Sequence, residues 1–188
     1  ARDSRYLAPK HCAQRSKLMQ KTFFIADTHF GHEKIIQYEN RPFRNVAEMN
    51  NAIIENWNSV VSKQDRVFLL GDVGFGNMEY ITSCVKQLNG RKILVMGNHD
   101  LGRNITKWYE AGFDEVSKYP IILNDFLVLS HQPPTYFNAA TPYFYIYGHV
   151  HGTPAYRTIT QNTACVSIER WDYTPVELQR IIDLSKTA

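Results

Sequence analysis

The 188-residue sequence predicts an α/β fold in a single domain, with two β-sheets packed together and helices on the outside. Three observations carry that expectation. Over residues 22–96, short apolar runs alternate with segments of helical periodicity, the pattern of a parallel sheet with crossover helices. After about Phe113 the texture changes to short strand-like runs broken by turn residues. A hydrophobic content of 44% in a chain of this length is enough to fill a real core.

Taken in order, residues 22–26 form an apolar run that ends at Asp27 and read as a buried strand. Asn45 followed by Glu48 is an N-cap pattern, and Val46, Met49, Ile53, Trp57 and Val60 then recur at helical spacing. Residues 66–70 give the next strand, which stops at Gly71-Asp72. Asn77 can cap a helix carrying Ile81, Cys84, Val85 and Leu88, closed by Asn89-Gly90. A third strand, residues 92–96, stops at Gly97-Asn98-His99-Asp100. Residues 121–123 and 126–130 flank Asn124-Asp125, a hairpin-turn pair. Residues 143–147 and 164–168 give further strands. Thr174-Pro175-Val176-Glu177 reads as a capping box with proline at the first helical position, opening a final helix to about Leu184.

Charge is distributed unevenly. The formal net charge is +3, but Arg2, Arg5, Lys10, Arg15 and Lys17 against Asp3 place +4 in residues 1–18 and leave about −1 for residues 19–188. The body is nearly neutral, so charge gives no ground for nucleic-acid binding. Residues 1–18 lack an apolar h-region, and Met19 stands directly before the first apolar run; the segment is expected to be a disordered leader or upstream extension, with residues 19–188 as the domain. No apolar run approaches bilayer length, so a membrane span is not expected. Cys12, Cys84 and Cys165 are odd in number and form no CxxC, which fits the reducing cytoplasm.

Five short segments carry the chemistry: Asp27-Thr28-His29, Gly71-Asp72, Gly97-Asn98-His99-Asp100, His131, and Gly148-His149-Val150-His151. Together they hold five of the seven histidines. Three of them end strands of the first sheet, where open α/β sheets place their sites. Asp27 and His29, two residues apart at a strand end, can point to one side, and His149 and His151 repeat that spacing after a glycine. Asp72 can bridge two cations, Asn98 offers a neutral amide oxygen, and His131 adds an imidazole. Such mixed nitrogen and oxygen donors suit manganese, which is favoured, or iron, zinc or nickel. Two divalent ions can clamp a phosphoryl oxygen and hold a bridging hydroxide for in-line attack on phosphorus. His99 is then placed to assist the leaving group or transition state, with Asp100 expected to orient its ring.

The order D-x-H, GD, GNH[DE], H, GHxH over residues 22–170 resembles the calcineurin-like metallophosphoesterase superfamily. That resemblance implies a four-layer α/β/β/α fold. It implies that Asp27, His29 and His151 hold one metal, that Asn98, His131 and His149 hold the other, that Asp72 bridges them, and that His99 is the catalytic histidine. Many members read GDxxD, whereas here Val73, Gly74 and Phe75 follow Asp72. The wording of the protein serine/threonine phosphatases is also absent. The segments from Asp27 to His32, Asn40 to Phe43 and Glu169 to Pro175 resemble the small, cap-free bacterial and phage members, mostly known only as phosphoesterases with phosphodiesters a frequent substrate; the expected partner is a phosphate ester, a nucleotide or another phosphodiester. A phosphodiesterase is therefore expected, with a phosphomonoesterase and, further off, a binding scaffold or single-strand nuclease as alternatives.

Around these motifs, His32 and Arg41 are candidates for substrate contact, Arg41 because a guanidinium matches phosphate oxygens bidentately. Arg44 reads as solvated. Tyr136, Phe137, Tyr143, Phe144, Tyr145 and Tyr147 invite comparison with a base-stacking platform, but strand alternation assigns at least half of them to the core. Trp108, Trp171, Cys84 and Cys165 are expected to be packing residues.

Overall fold

A computed structural model describes residues 20–135 and 141–188. The elements are β1 (Thr22–Ile25), α1 (Glu33–Tyr38), α2 (Val46–Val60), β2 (Arg66–Leu69), α3 (Met78–Val85), β3 (Arg91–Val95), α4 (Ile105–Ala111), β4 (Glu115–Ser117), β5 (Ile121–Leu123), β6 (Leu127–Leu129), β7 (Phe144–Tyr147), β8 (Thr163–Cys165), β9 (Val176–Glu177) and α5 (Leu178–Ser185). A 3₁₀ turn occupies Ile168–Trp171.

Two sheets form the expected α/β sandwich. The first has the order β4-β3-β2-β1-β9, parallel except for β9, and the second has the order β5-β6-β7-β8, parallel except for β5. Strand alternation divides the first sheet between two cores. Phe24, Phe68, Ile93 and Val95 face Leu129, Phe144, Ile146 and Ala164 of the second sheet, while Phe23, Val67, Leu69 and Leu94 face the helices with Met49, Ile53, Trp57 and Ile81. Burying each such side chain is worth roughly 1.5–3 kcal/mol. Among the described residues, no helix is long and apolar enough to cross a membrane.

Local signals mostly act as read. Asn45 Oδ1 accepts the Glu48 N–H at 2.9 Å, and Asn77 Oδ1 accepts the Glu79 N–H at 2.7 Å. Asn124 and Asp125 both have positive φ in the turn between β5 and β6, where Phe126 N–H donates to Leu123 O at 3.3 Å. Trp108, Trp171, Cys84 and Cys165 are buried, as are Phe144 and Tyr147. Tyr136 and Phe137 lie outside the described residues.

Some expected boundaries shift. Helix α3 ends at Val85 with Lys86 as its C-cap, short of Leu88 and Asn89-Gly90. Thr174 does not cap a helix; its hydroxyl donates to Asp172 O at 3.0 Å, Val176 and Glu177 form β9, and α5 begins only at Leu178. The open edge of β1 decides this, because Val176 and Glu177 pair with Phe24 and Phe23 and so satisfy backbone groups that an early helix start would leave bare. The short α1, α4 and β4 were not read from the sequence, since six, seven and three residues are too few to establish a period.

The sheets are tied at the end that carries the motifs. Ala26 N–H donates to Val166 O at 2.9 Å and Ile168 N–H donates to Ala26 O at 3.1 Å. Strand β8 therefore stops at Cys165, and the chain crosses to the first sheet instead of continuing to Ile168.

Candidate metal centre

All five motifs meet at the carboxyl ends of β1, β2, β3, β6 and β7. Ligand atoms of Asp27, His29 and His151 lie within 4.8 Å of one another, and those of Asp72, His131 and His149 form a second such group. Asn98 Oδ1 is 2.9 Å from His131 Nε2, which adds it to the second group. Asp72 Oδ2 lies 3.7 Å from His29 Nε2 and 3.5 Å from His131 Nε2, so it faces one histidine from each group.

The backbone route to this convergence differs from strand alternation. Asp27, His29, Asp72, His149 and His151 all have φ between 45° and 71°, in the left-handed region. Non-glycine residues held there cost on the order of 1–3 kcal/mol each, and such strain clusters at functional sites. The loops are held by long-range bonds: Asp27 N–H donates to Gly71 O, His29 N–H to Asp72 O, His99 N–H to Asp72 Oδ1 and His149 N–H to Asp27 Oδ2. Close approach explains two glycines. A Cβ at Gly97 would collide with Asp72 Oδ1, and one at Gly148 with Ala26 Cβ and Asp27 Oδ2. Gly148 thus serves packing rather than an unusual φ.

Partners fix the ring orientations. His131 Nδ1 is 2.8 Å from Leu70 O and His151 Nδ1 is 3.0 Å from Glu169 Oε1, so both rings donate Nδ1–H outward and turn Nε2 inward. His29 Nδ1 faces His32 Nδ1 at 3.3 Å, leaving His29 Nε2 toward Asp72. Burial, reinforced by the charge of Arg41, holds the His29 pKa well below its ordinary value and keeps it neutral. Burial pushes Asp27 up to about 6 despite the nearby His151 and His131. For His151, burial opposes the charge, but the bond to Glu169 and the charge of Asp27 outweigh it and raise its pKa to about 9.

A fit for cations follows from two atoms. Asp27 Oδ1 and His29 Nε2 are buried without a hydrogen-bond partner among the described residues, and both belong to residues of the first candidate group. Orphaned buried acceptors are costly, and a divalent cation is the partner that such a donor set accepts.

Two candidate residues are placed differently from the sequence reading. Asp100 makes no bond to the His99 ring. Its buried carboxylate accepts the N–H groups of Asp72 at 2.7 Å, Val73 at 3.1 Å and Gly97 at 2.8 Å, so it braces the two loops that present Asp72 and Asn98. Arg41 is buried rather than available to phosphate. It donates to Glu169 Oε1 at 2.6 Å, Asp27 O at 2.7 Å and Thr28 O at 3.1 Å, because an interior guanidinium must spend its donors locally. His99 keeps an accessible ring, 41% exposed, with Nε2 3.9 Å from Asp72 Oδ2. His32 stacks on Phe75 with ring centroids 4.6 Å apart and does not cap α1 with its side chain.

Sequence reasoning missed Glu169 and Arg170. Glu169 links Arg41 to His151, and a third acidic group of Glu39, His151 and Glu169 shares that histidine. Arg170 donates to the carbonyls of His151, Thr153 and Tyr156 and fixes the loop that follows the last motif. Their only sequence signal was adjacency within the segment from Glu169 to Pro175.

The chain is similar to several known proteins. An uncharacterised protein of Methanocaldococcus jannaschii, MJ1445, is 35% identical over 173 residues, covering 88% of this chain and 92% of its own length. The gene 66 protein of Mycobacterium phage L5 is 34% identical over 85 residues, 44% of this chain and 41% of that protein. Among solved structures, a protein of unknown function from Aquifex aeolicus, AQ665, superposes with a TM-score of 0.64 at 27% identity, over 88% of this chain and 99% of its own. The family model described as calcineurin-like phosphoesterase matches residues 21–172, and with the converged motifs this makes the chain a member of the calcineurin-like phosphoesterase family.

Proposed function

We propose that this protein is a dinuclear metal-dependent phosphodiesterase. The single observation that supports it most is the convergence of Asp27, His29, Asp72, Asn98, His131, His149 and His151 into two adjoining ligand groups, with Asp72 facing both. When bound, two divalent metals, manganese favoured, supply a hydroxide nucleophile at neutral pH and neutralise charge on the phosphoryl oxygens. The chain's own residues do the rest. His99, exposed at the mouth, donates a proton to the departing oxygen or stabilises charge at phosphorus. His131 and His151 are oriented by Leu70 O and Glu169, and Asp100 holds the Asp72 loop against the Asn98 loop. Buried free thiols at Cys84 and Cys165 fit the proposed cytoplasmic location.

The test is hydrolysis of bis(4-nitrophenyl) phosphate beside 4-nitrophenyl phosphate by metal-stripped protein reloaded with manganese. Metal-dependent diester turnover is the expected result. Turnover of the monoester alone would replace the reading with a phosphomonoesterase, and two bound metals without turnover of either ester would favour a binding role.

Metal binding should also release protons. His151 carries a proton at neutral pH in the metal-free site, with a pKa of about 9. A metal at its Nε2 must displace it, so affinity rises with pH by up to about tenfold per unit until pH 9. Below about pH 6, protonation of Asp27 opposes binding further. Titration calorimetry at pH 7.5 in buffers of different ionisation enthalpy should show about one proton released at this site. Uptake, or no exchange, would contradict the assignment of His151 as a ligand.

A further inference from the structure

We propose that a cavity adjoining the Asn98 and His131 side of the centre binds the nucleoside arm of a phosphodiester, an inference that rests on the hydrolase reading for its turnover test. The cavity measures about 450 Å³ and includes Asn98 and His131 in its wall. Pockets that enclose small organic ligands span roughly 300–1,000 Å³. A phosphate at the candidate metal site to which those two side chains belong therefore has this space beside it for one substituent.

The lining selects the class of substituent. Met96, Leu101 and Val128 supply apolar surface, and Lys118, Tyr119 and Gln132 stand around it. Leu101 is 52% exposed and Tyr119 76% exposed, which leaves apolar and aromatic surface in water beside the candidate metal ligands. Lys118 makes no ion pair among the described residues, and the Gln132 amide makes no hydrogen bond there. A nucleobase matches this combination, since its faces are apolar enough to lie on a thioether, branched aliphatics and a phenol ring, while its edge carries donors and acceptors. An alkyl arm would fill the apolar part but offer Lys118 and Gln132 nothing. The nearly neutral body favours one nucleoside unit over a long polyanion tracked along the surface.

Two substrates isolate the arm. Thymidine 5′-(4-nitrophenyl phosphate) and methyl 4-nitrophenyl phosphate both lose 4-nitrophenolate as water oxygen bonds to phosphorus and the aryl P–O bond breaks. They differ only in the group retained. The manganese-loaded protein should prefer the nucleoside ester in kcat/KM by roughly tenfold or more. Filling the cavity with Val128→Trp, or removing a wall with Leu101→Ala, should lower that ratio at least fivefold; a ratio is insensitive to a loss of folded protein. Saturation-transfer NMR of thymidine 5′-monophosphate on metal-free protein should show base contacts that Val128→Trp abolishes.

Equal turnover of the two esters with no base contact would overturn the cavity assignment and leave the hydrolase reading standing. Base contacts that Val128→Trp abolishes, with neither ester cleaved, would support the cavity and sink the hydrolase. Absence of both turnover and binding would overturn both.

Discussion

Arg41→Ala should lower stability by about 3–5 kcal/mol, the cost of breaking a buried ion pair by deleting one partner. The pair to Glu169 is 2.6 Å long and both side chains are interior. Removal leaves Glu169 with His151 as its one cationic partner among the described residues and Asp27 O and Thr28 O without their guanidinium donors, each an added desolvation cost. For a domain of this size that is a fall in Tm of about 10 °C, since 1 kcal/mol corresponds to roughly 2–4 °C. Bound metal should fall as well, because Asp27 belongs to the released loop and Glu169 orients His151. Arg41→Lys should recover only part of the loss, as one ammonium cannot reproduce a fork shared between a carboxylate and two carbonyls. Thermal melts with metal analysis decide the matter. A variant that melts within 2 °C of the parent yet loses turnover would restore Arg41 to the role of phosphate ligand and refute its structural assignment.

The second large effect is expected at His99. His99→Ala should reduce kcat by about 10²–10⁴-fold, the range for a lost general acid or base. Metal content should be retained, because the ring belongs to neither ligand group, and stability should change little for a side chain this exposed. Leaving groups provide the discriminating readout. If His99 protonates the departing oxygen, esters of alcohols should lose far more than the nitrophenyl ester, whose leaving group needs no proton. An equal loss for both would assign His99 to charge stabilisation at phosphorus instead. Turnover of both kinds of ester within threefold of the parent would remove it from the reaction.

Much of this molecule was legible in its sequence for identifiable reasons. Asn45, Asn77 and the Asn124-Asp125 pair act through bonds and backbone angles spanning two or three residues, so a linear reading captures them. Strands β1, β2 and β3 are buried on both faces and announce themselves as apolar runs. The candidate ligand set was legible because metal binding demands particular atoms, and few side chains carry them.

What the sequence could not settle depends on partners far along the chain. Val176 and Glu177 became a strand because an edge 152 and more residues away needed pairing; the local capping signal lost to that demand. Arg41 looked like a phosphate ligand until Glu169, 128 residues on, was found beside it. Asp100 sits next to His99 in sequence, yet its carboxylate serves Asp72 and Val73 across the sheet. Sequence alone determined which atoms could meet a metal and an ester. Tertiary structure decided which charged groups face the site and which are consumed in holding it, because a buried charge goes to whatever partner the fold brings within hydrogen-bond distance.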